Sequence, residues 1–423
     1  MWKKLLSIWN LPDLRNKILF VLGMLVVFRA CAAVPLPGVD IANLKNFFQN
    51  NELFGLLNIF SGGGLMHFSI VSMGVAPYIT SSIILQLLVM IVPSLETLSK
   101  EGEYGRQKIN QYTRYLTVPL AFLQAYGLIA LLHQSSRPIL GSLTLLDTIL
   151  MVIVLTAGTV FLMWIGELIS EKKVGNGISL LIFAGIISRL PSSIKSFEVL
   201  DPSQVFNVLA FAVVGIITIV FVIIMTEGQR NIPVTYARRV RGMSMGSVDT
   251  HLPIRVSQAG VIPIIFAISV ILFPPTIAQF FVRAKTHAIA QAAQGVISFF
   301  ADHLVYGVLY FLLVIAFTYF YTSVIFKPDQ IAENLQKQGG FVPGIRPGKP
   351  TSDFLQDTVN KIILPGAVFL GVIAVLPLVV QGFTGITSLA IGGTSLLIVV
   401  SVAIETFKQI EAQMTARDYE EFL

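Results

Sequence analysis

Five histidines are the first candidates for metal or acid–base chemistry: His67, His133, His251, His287 and His303. They are scattered, and none forms a His-Glu-x-x-His pair that would set two imidazoles on one helix face. Cys31, the single cysteine, can close no intramolecular disulfide. It lies within an apolar run and reads as a small buried residue. No Gly-x-Ser-x-Gly nucleophile elbow occurs. The segment Gly344-Ile345-Arg346-Pro347-Gly348-Lys349-Pro350 has the flavour of a phosphate loop. Its glycine spacing is one residue short, and Pro350 stands where a Ser or Thr must bind the metal. Catalysis, metal and cofactor are therefore not expected.

The chemistry left over is that of branched apolar side chains. Ile79 and Ile265 each follow a proline by two residues, Pro77 and Pro263. Ile178 and Ile182 are spaced i,i+4 and share a helix face. If the helices that carry them face each other, Ile79 and Ile265 meet near the axis.

Positioning these residues is a task for membrane spans. The chain has 423 residues, of which 54% are hydrophobic and 12% charged, too few charges to cover a soluble globule of this size. Apolar runs long enough to span occur near 18–34, 75–92, 115–132, 146–168, 205–225, 257–281, 304–326, 359–380 and 386–404, with a shorter one over 178–190. Ten spans follow. The N-terminus is not a signal peptide, because the first long run starts only near Ile18 and no small-x-small cleavage site follows it. All but seven of the 29 basic residues fall in segments on one side of the membrane, the exceptions being Arg29, Lys45, Arg137, Arg189, Lys195, Arg283 and Lys285. By the positive-inside bias that side is the cytosol, and it holds both termini. The net charge of +6 thus reads as orientation and docking rather than as nucleic-acid binding. Two long basic loops, Glu227 to Val256 and Phe326 to about Asn360, lie on that side and are expected to do work.

One span is broken. The segment Ser61-Gly62-Gly63-Gly64-Leu65-Met66-His67-Phe68-Ser69-Ile70-Val71-Ser72 is glycine-rich and too short to cross, and a continuous apolar run begins only after Pro77. Irregular backbone at membrane depth requires protein or a water-filled cavity around it. Gly74-Val75-Ala76-Pro77 resembles Gly260-Val261-Ile262-Pro263, and each opens the second span of a five-span half. Five is odd, so the second half runs inverted, with a pathway at the repeat interface.

Several stretches are similar to the SecY family, the large subunit of bacterial protein-translocation channels. They are Phe60-Ser61-Gly62-Gly63, Ile83-Ile84-Leu85-Gln86-Leu87-Leu88, Lys100-Glu101-Gly102-Glu103 with Gly105-Arg106, Gln111-Tyr112-Thr113-Arg114-Tyr115 and Gly175-Asn176-Gly177-Ile178-Ser179. Gly260-Val261-Ile262-Pro263, Phe341-Val342-Pro343-Gly344-Ile345-Arg346-Pro347-Gly348 and Gly392-Gly393-Thr394-Ser395-Leu396-Leu397-Ile398 complete the set. The resemblance implies an all-α polytopic protein of ten transmembrane helices, in two inverted five-helix halves (1–203 and 204–423) around an hourglass pore. It assigns a pore ring to Val75, Ile79, Ile178, Ile182, Ile265 and Ile398, whose branched apolar side chains would let an unfolded chain slide and resist ions by dewetting. It assigns a plug to about residues 61–72, including Ser61, Gly62, Gly63, Gly64, Leu65, Met66, His67 and Phe68, expected to leave its seat at low cost with few apolar contacts to lose. A gate opening sideways to lipid would involve Thr80, Gln124, Gly260 and Pro263. Arg238, Arg239 and Arg346 would dock the SecA motor or a ribosome. The implied partners also include the small subunits SecE and SecG, signal sequences, unfolded preproteins and membrane lipid, with no nucleic-acid substrate and no cofactor. The implied location is the bacterial plasma membrane.

Two other readings share some of these features. A small-solute secondary transporter also uses inverted repeats, but it places ionisable groups inside its spans, and here the spans nearly lack them. An intramembrane enzyme needs a nucleophile–base set, and none is present.

Overall fold

The computed structural model describes residues 11–40, 43–44, 61, 63–133, 139–140, 144–188, 205–236, 248–258, 260–282, 286–384 and 392–420. Each of the ten apolar runs falls on a helix. In chain order these are α1 (Pro12–Ala33), α2 (Ala76–Ile91), α3 (Pro93–Lys100), α4 (Glu103–His133), α5 (Leu145–Glu171), α6 (Gly177–Ile187) and α7 (Val205–Glu227). There follow β1 (Gln229–Tyr236), β2 (Val248–Arg255), α8 (Ile262–Phe281), α9 (His287–Ala301), α10 (His303–Ile325), α11 (Pro328–Lys337), β3 (Gly340–Phe341), α12 (Lys349–Thr384) and α13 (Gly392–Glu420). Among the described residues, α1, α5, α10 and α12 each carry a stretch long and apolar enough to cross a membrane alone. The pair α2–α3 passes the same test together but bends by 100° at Val92–Pro93.

The helix starts are written in local chemistry. Thr144 and Asp147 form a reciprocal capping box on α5. The Asp302 carboxylate accepts from the Leu304 and Val305 amides at 2.8 and 3.4 Å and starts α10. Pro12, Pro93 and Pro328 sit at first helical positions, where the missing N–H costs nothing. Inside the spans, hydroxyls are satisfied by their own helix: Thr156 and Thr159 donate to Val152 and Leu155 carbonyls, and Thr318 and Thr322 to Val314 and Thr318. The outward faces carry bare apolar side chains, among them Leu146, Ile149 and Ile153 on α5, Ile216 and Ile224 on α7, and Val308 and Leu312 on α10. A surface of this kind is covered by lipid.

The chain forms two compact units. Unit one comprises residues 1–210, 269–301 and 398–423, and unit two residues 211–268 and 302–397. In unit one α2 packs on α4, α4 on α5, α5 on α6, and α1 on both α5 and α6. The C-terminal extension of α13 returns to the start of α1, where Leu14 and Met414 share a small apolar cluster and Lys17 Nζ donates to Gln413 at 3.3 Å. In unit two α10 packs on α12.

Unit two also holds a sheet and a helix where the sequence predicts long loops. β1 pairs with β2 from Gln229↔Arg255 to Tyr236↔Val248, and with β3 at Thr235↔Phe341, in a three-stranded antiparallel sheet ordered β2-β1-β3. Ile232, Val234 and Ile254 point from it into one apolar core with Leu335 of α11, Val342, and Leu355, Val359 and Ile363 of α12. The segment from Phe326 to Asn360 is therefore α11, a short strand and the first turns of α12 rather than a connector. The two long loops fold as one body because the strands carry alternating apolar residues and α11 and α12 carry theirs at helical spacing, and all of them are buried in one core.

Candidate functional site: the plug segment and the apolar helix starts

The glycine-rich segment forms a compact series of turns around a single 3₁₀ turn, Leu65–His67. Ser61 Oγ accepts from the Leu65 amide at 3.2 Å, and the Gly64 carbonyl accepts from the Ser69 amide at 3.0 Å and from Ser72 Oγ at 3.3 Å. Its outer strand-like edge is stitched to the residues after α1. The Leu36 amide donates to Phe68 O at 2.9 Å and the Ile70 amide to Val34 O at 3.2 Å. Phe68 takes a left-handed backbone with φ +42°, which turns its ring inward.

The expectation of a loosely held segment is corrected here. Leu65 and Phe68 are buried in a cluster with Ala125, Ile129 and Leu132 of α4 and Met151, Val152 and Leu155 of α5. Ile70 and Met73 pack against the same cluster. Val71 and Ser72 are fully buried. The polar-looking triplet of glycines hid this, because the seat is made by four apolar residues spread over nine positions. Two of the segment's residues stand apart: His67 is exposed and Met66 half-buried. Gly62 lies outside the described residues.

The seat includes a residue that the spacing of motifs did not single out. A Cβ on Gly158, midway along α5, would overlap the carbonyl oxygen of Ile70. Only glycine lets the segment's backbone lie against the helix. The available signal was a small residue in the middle of an otherwise bulky span.

The paired Gly-Val-x-Pro motifs adopt matching local structure. Gly74 and Gly260 both have φ +57°. Val75 is the N-cap of α2, and Val261 directly precedes α8. The Ile79 amide donates to Val75 O at 3.0 Å, and the Ile265 amide to Val261 O at 3.3 Å. Each motif is therefore a left-handed glycine, a turn, and a proline-primed helix whose first full turn ends on an isoleucine. Val75, Ile79, Ile182 and Ile398 are buried, as is Ile265, while Ile178 is half-buried.

Ile178 is aimed by the Gly175-Asn176-Gly177 turn. The Asn176 side chain accepts from the Ile178 and Ser179 amides at 3.1 and 3.3 Å and starts α6. A Cβ on Gly177 would overlap the Gly166 carbonyl, and one on Gly166 would stand 2.6 Å from Ile178 Cδ1. Two glycines thus let α6 dock closely on α5. Ser170 completes the joint, donating to Gly166 O and accepting from the Gly177 amide, each at 2.9 Å.

Of the residues assigned to a lateral gate, Thr80 donates to Ala76 O within α2 at 3.0 Å. Gln124 is half-buried on α4, and Pro263 is buried at the start of α8. Of the docking arginines, Arg346 is exposed, in a turn between Gly344 at φ +83° and Gly348 at φ +95° whose Arg346 carbonyl accepts from Thr351 Oγ1 at 2.8 Å. This hydroxyl-closed turn is unlike a phosphate cradle. Arg238 and Arg239 lie outside the described residues. Among those residues no three His, Cys, Asp or Glu side chains gather to hold a metal.

The fold is that of a helical multi-pass membrane protein with a folded, glycine-rich segment seated against α4 and α5 ahead of α2. The solved structures share the fold. A protein-conducting channel aligns over 94% of this chain and 92% of its own with TM-score 0.66 at 17% identity. A SecY protein studied for its plug domain gives 0.67 at 18% over the same shares, and the channel of a canine ribosome–channel complex from the endoplasmic reticulum gives 0.62 at 17%. The SecY family profile matches residues 69–407. The protein translocase subunits SecY of Streptomyces galbus and of Mycobacterium tuberculosis are each 44% identical to it over 431 residues, covering 97% of both chains. The chain belongs to the SecY family.

Proposed function

We propose that this chain is the central pore-forming subunit of a protein-conducting channel. It passes unfolded secretory proteins across the bacterial plasma membrane and releases membrane proteins sideways into it. The observation that carries this reading is the plug-like segment at residues 61–72, seated against α4 and α5 in a chain whose relatives are translocase subunits. A small-solute transporter gains no support from those relatives.

Residues 1–203 and 204–423 act as inverted halves, each with a Gly-Val-x-Pro start to its second span. Val75, Ile79, Ile178, Ile182, Ile265 and Ile398 form the constriction, whose branched apolar walls grip a sliding chain weakly and exclude ions by dewetting. The plug blocks the path at rest. A signal sequence, itself an apolar helix, partitions into lipid through a seam near Thr80, Gln124, Gly260 and Pro263. The sheet and α11 face the cytosol with both termini, and Arg238, Arg239 and Arg346 dock the SecA motor or a ribosome. SecE and SecG complete the complex. The chain performs no catalysis, so the work comes from its motor.

The test is reconstitution of the chain with SecE, SecG, SecA, ATP and a secretory preprotein in vesicles. Protease-protected preprotein is expected. Its absence with all components present, alongside uptake of a small solute, would return the transporter reading.

A further inference from the structure

Helix α9 has no part in the pore, plug or docking reading, yet its sequence is sharply two-sided. His287, Gln291, Gln294 and Ser298 lie along one face, and Ile289, Ala293, Val296, Ile297 and Phe300 along the other, with Phe299 at its margin. Residues 287–301 include no Asp, Glu, Lys or Arg. Ala293 is buried, and Ile297 and Phe300 are half-buried, so one shoulder of the apolar face packs on protein. The other shoulder is bare: Ile289, Val296 and Phe299 are exposed by 47%, 37% and 55%.

The chain leaves this helix little freedom to stand away from the bilayer. A single residue, Asp302, joins Ala301 to His303, the first residue of the spanning helix α10. Two Cα–Cα steps keep the end of α9 within about 7 Å of the start of that span. At its other end, residues 282–286 join it to α8, whose last residue, Phe281, is itself an exposed apolar side chain. An apolar stripe held this close to a membrane boundary meets the interface before it meets water.

We propose that α9 lies in the membrane interface, with Ile289, Val296 and Phe299 inserted among the lipid acyl chains and the Gln–His–Ser face in the headgroup water. The ligand is the lipid surface itself. Because the polar face carries no fixed charge, attachment is apolar and indifferent to salt, unlike that of a basic amphipathic helix. The inference rests on the multi-pass membrane reading but on neither the translocation activity nor the ring assignment.

The experiment places single cysteines carrying an environment-sensitive dye at positions 289, 296 and 299, and at 291, 294 and 298, in a Cys31→Ser background. The full chain with its small subunits is reconstituted in phosphatidylethanolamine–phosphatidylglycerol vesicles containing spin-labelled lipid. Labels at 289, 296 and 299 are expected to be quenched by lipid spin labels at a depth of about 5–10 Å, with no loss in high salt. Labels at 291, 294 and 298 are expected to be quenched by an aqueous quencher instead. Equal lipid quenching on both faces overturns the proposal. Shielding of 296 and 299 from lipid by a second copy or a small subunit, detected as a crosslink from those positions, overturns it as well. Preprotein translocation measured on the same vesicles distinguishes this failure from failure of the channel reading.

Discussion

Gly158 and Ile70 meet backbone to backbone: the α-carbon of one lies so close to the carbonyl of the other that no side chain fits at position 158. This contact, with the Leu65–Phe68 anchor, makes the segment a fitted element rather than a loose flap. If it serves as the proposed plug, its displacement must break apolar packing, and the free energy to do so has to come from outside the segment.

Gly158→Ala is expected to unseat the segment. The added methyl forces a backbone shift costing about 1–3 kcal/mol. A cysteine at exposed position 67 reports accessibility poorly, so the readout is modification of a cysteine placed at buried Val71, which rises in the variant. Unchanged protection at 71 would mean that the seat does not depend on this contact.

Phe68→Ala removes the largest buried side chain of the segment and is expected to destabilise the seated state by about 3–5 kcal/mol. Ion leak through reconstituted channels should rise, while Met66→Ala, at a half-buried site, should leave it nearly unchanged. Equal leak in both variants would argue against the anchor.

Gly260 tests backbone conformation without crowding, because nothing lies within 4 Å of where its Cβ would be and its φ is +57°. Gly260→Ala should cost about 1–2 kcal/mol, with Gly260→Asn milder, since Asn tolerates the left-handed region. Unfolding midpoints in detergent measure this, and Gly74→Ala should behave alike if the two motifs are structural equivalents.

Asn176→Ala deletes the cap of α6, a helix of only 11 residues. A loss of about 0.5–2 kcal/mol is expected, concentrated in faster amide exchange at Ile178 and Ser179. Gly177→Ala should be worse, since it pushes α6 off the Gly166 carbonyl.

Much of this architecture was legible in the order of residues. Apolar runs located the helices because lipid and backbone hydrogen bonding allow only helices or closed barrels there. The Gly-Val-x-Pro starts were legible because a left-handed glycine and a primed proline are local devices, satisfied within five residues. The broken span was legible because Ser61 to Gly74 lack any continuous apolar face. The extent of α12 was not, since its first turns are polar and are held by the core around Val359. The amphipathic helix α9 was missed for the opposite reason: its apolar residues are too few to register as a span.

What the sequence by itself determined was the set of long apolar helices, the membrane as their solvent and the family they belong to, because period, length and capping act over neighbours along the chain. What only the tertiary structure decided was the depth at which the glycine-rich segment is seated, the closeness of α6 to α5, and the union of two distant loops in one sheet. Each depends on a glycine or a branched side chain meeting a residue far away in sequence, at Gly158 and Ile70, at Gly166 and Gly177, and at Thr235 and Phe341. Shape complementarity of that kind has no period to read.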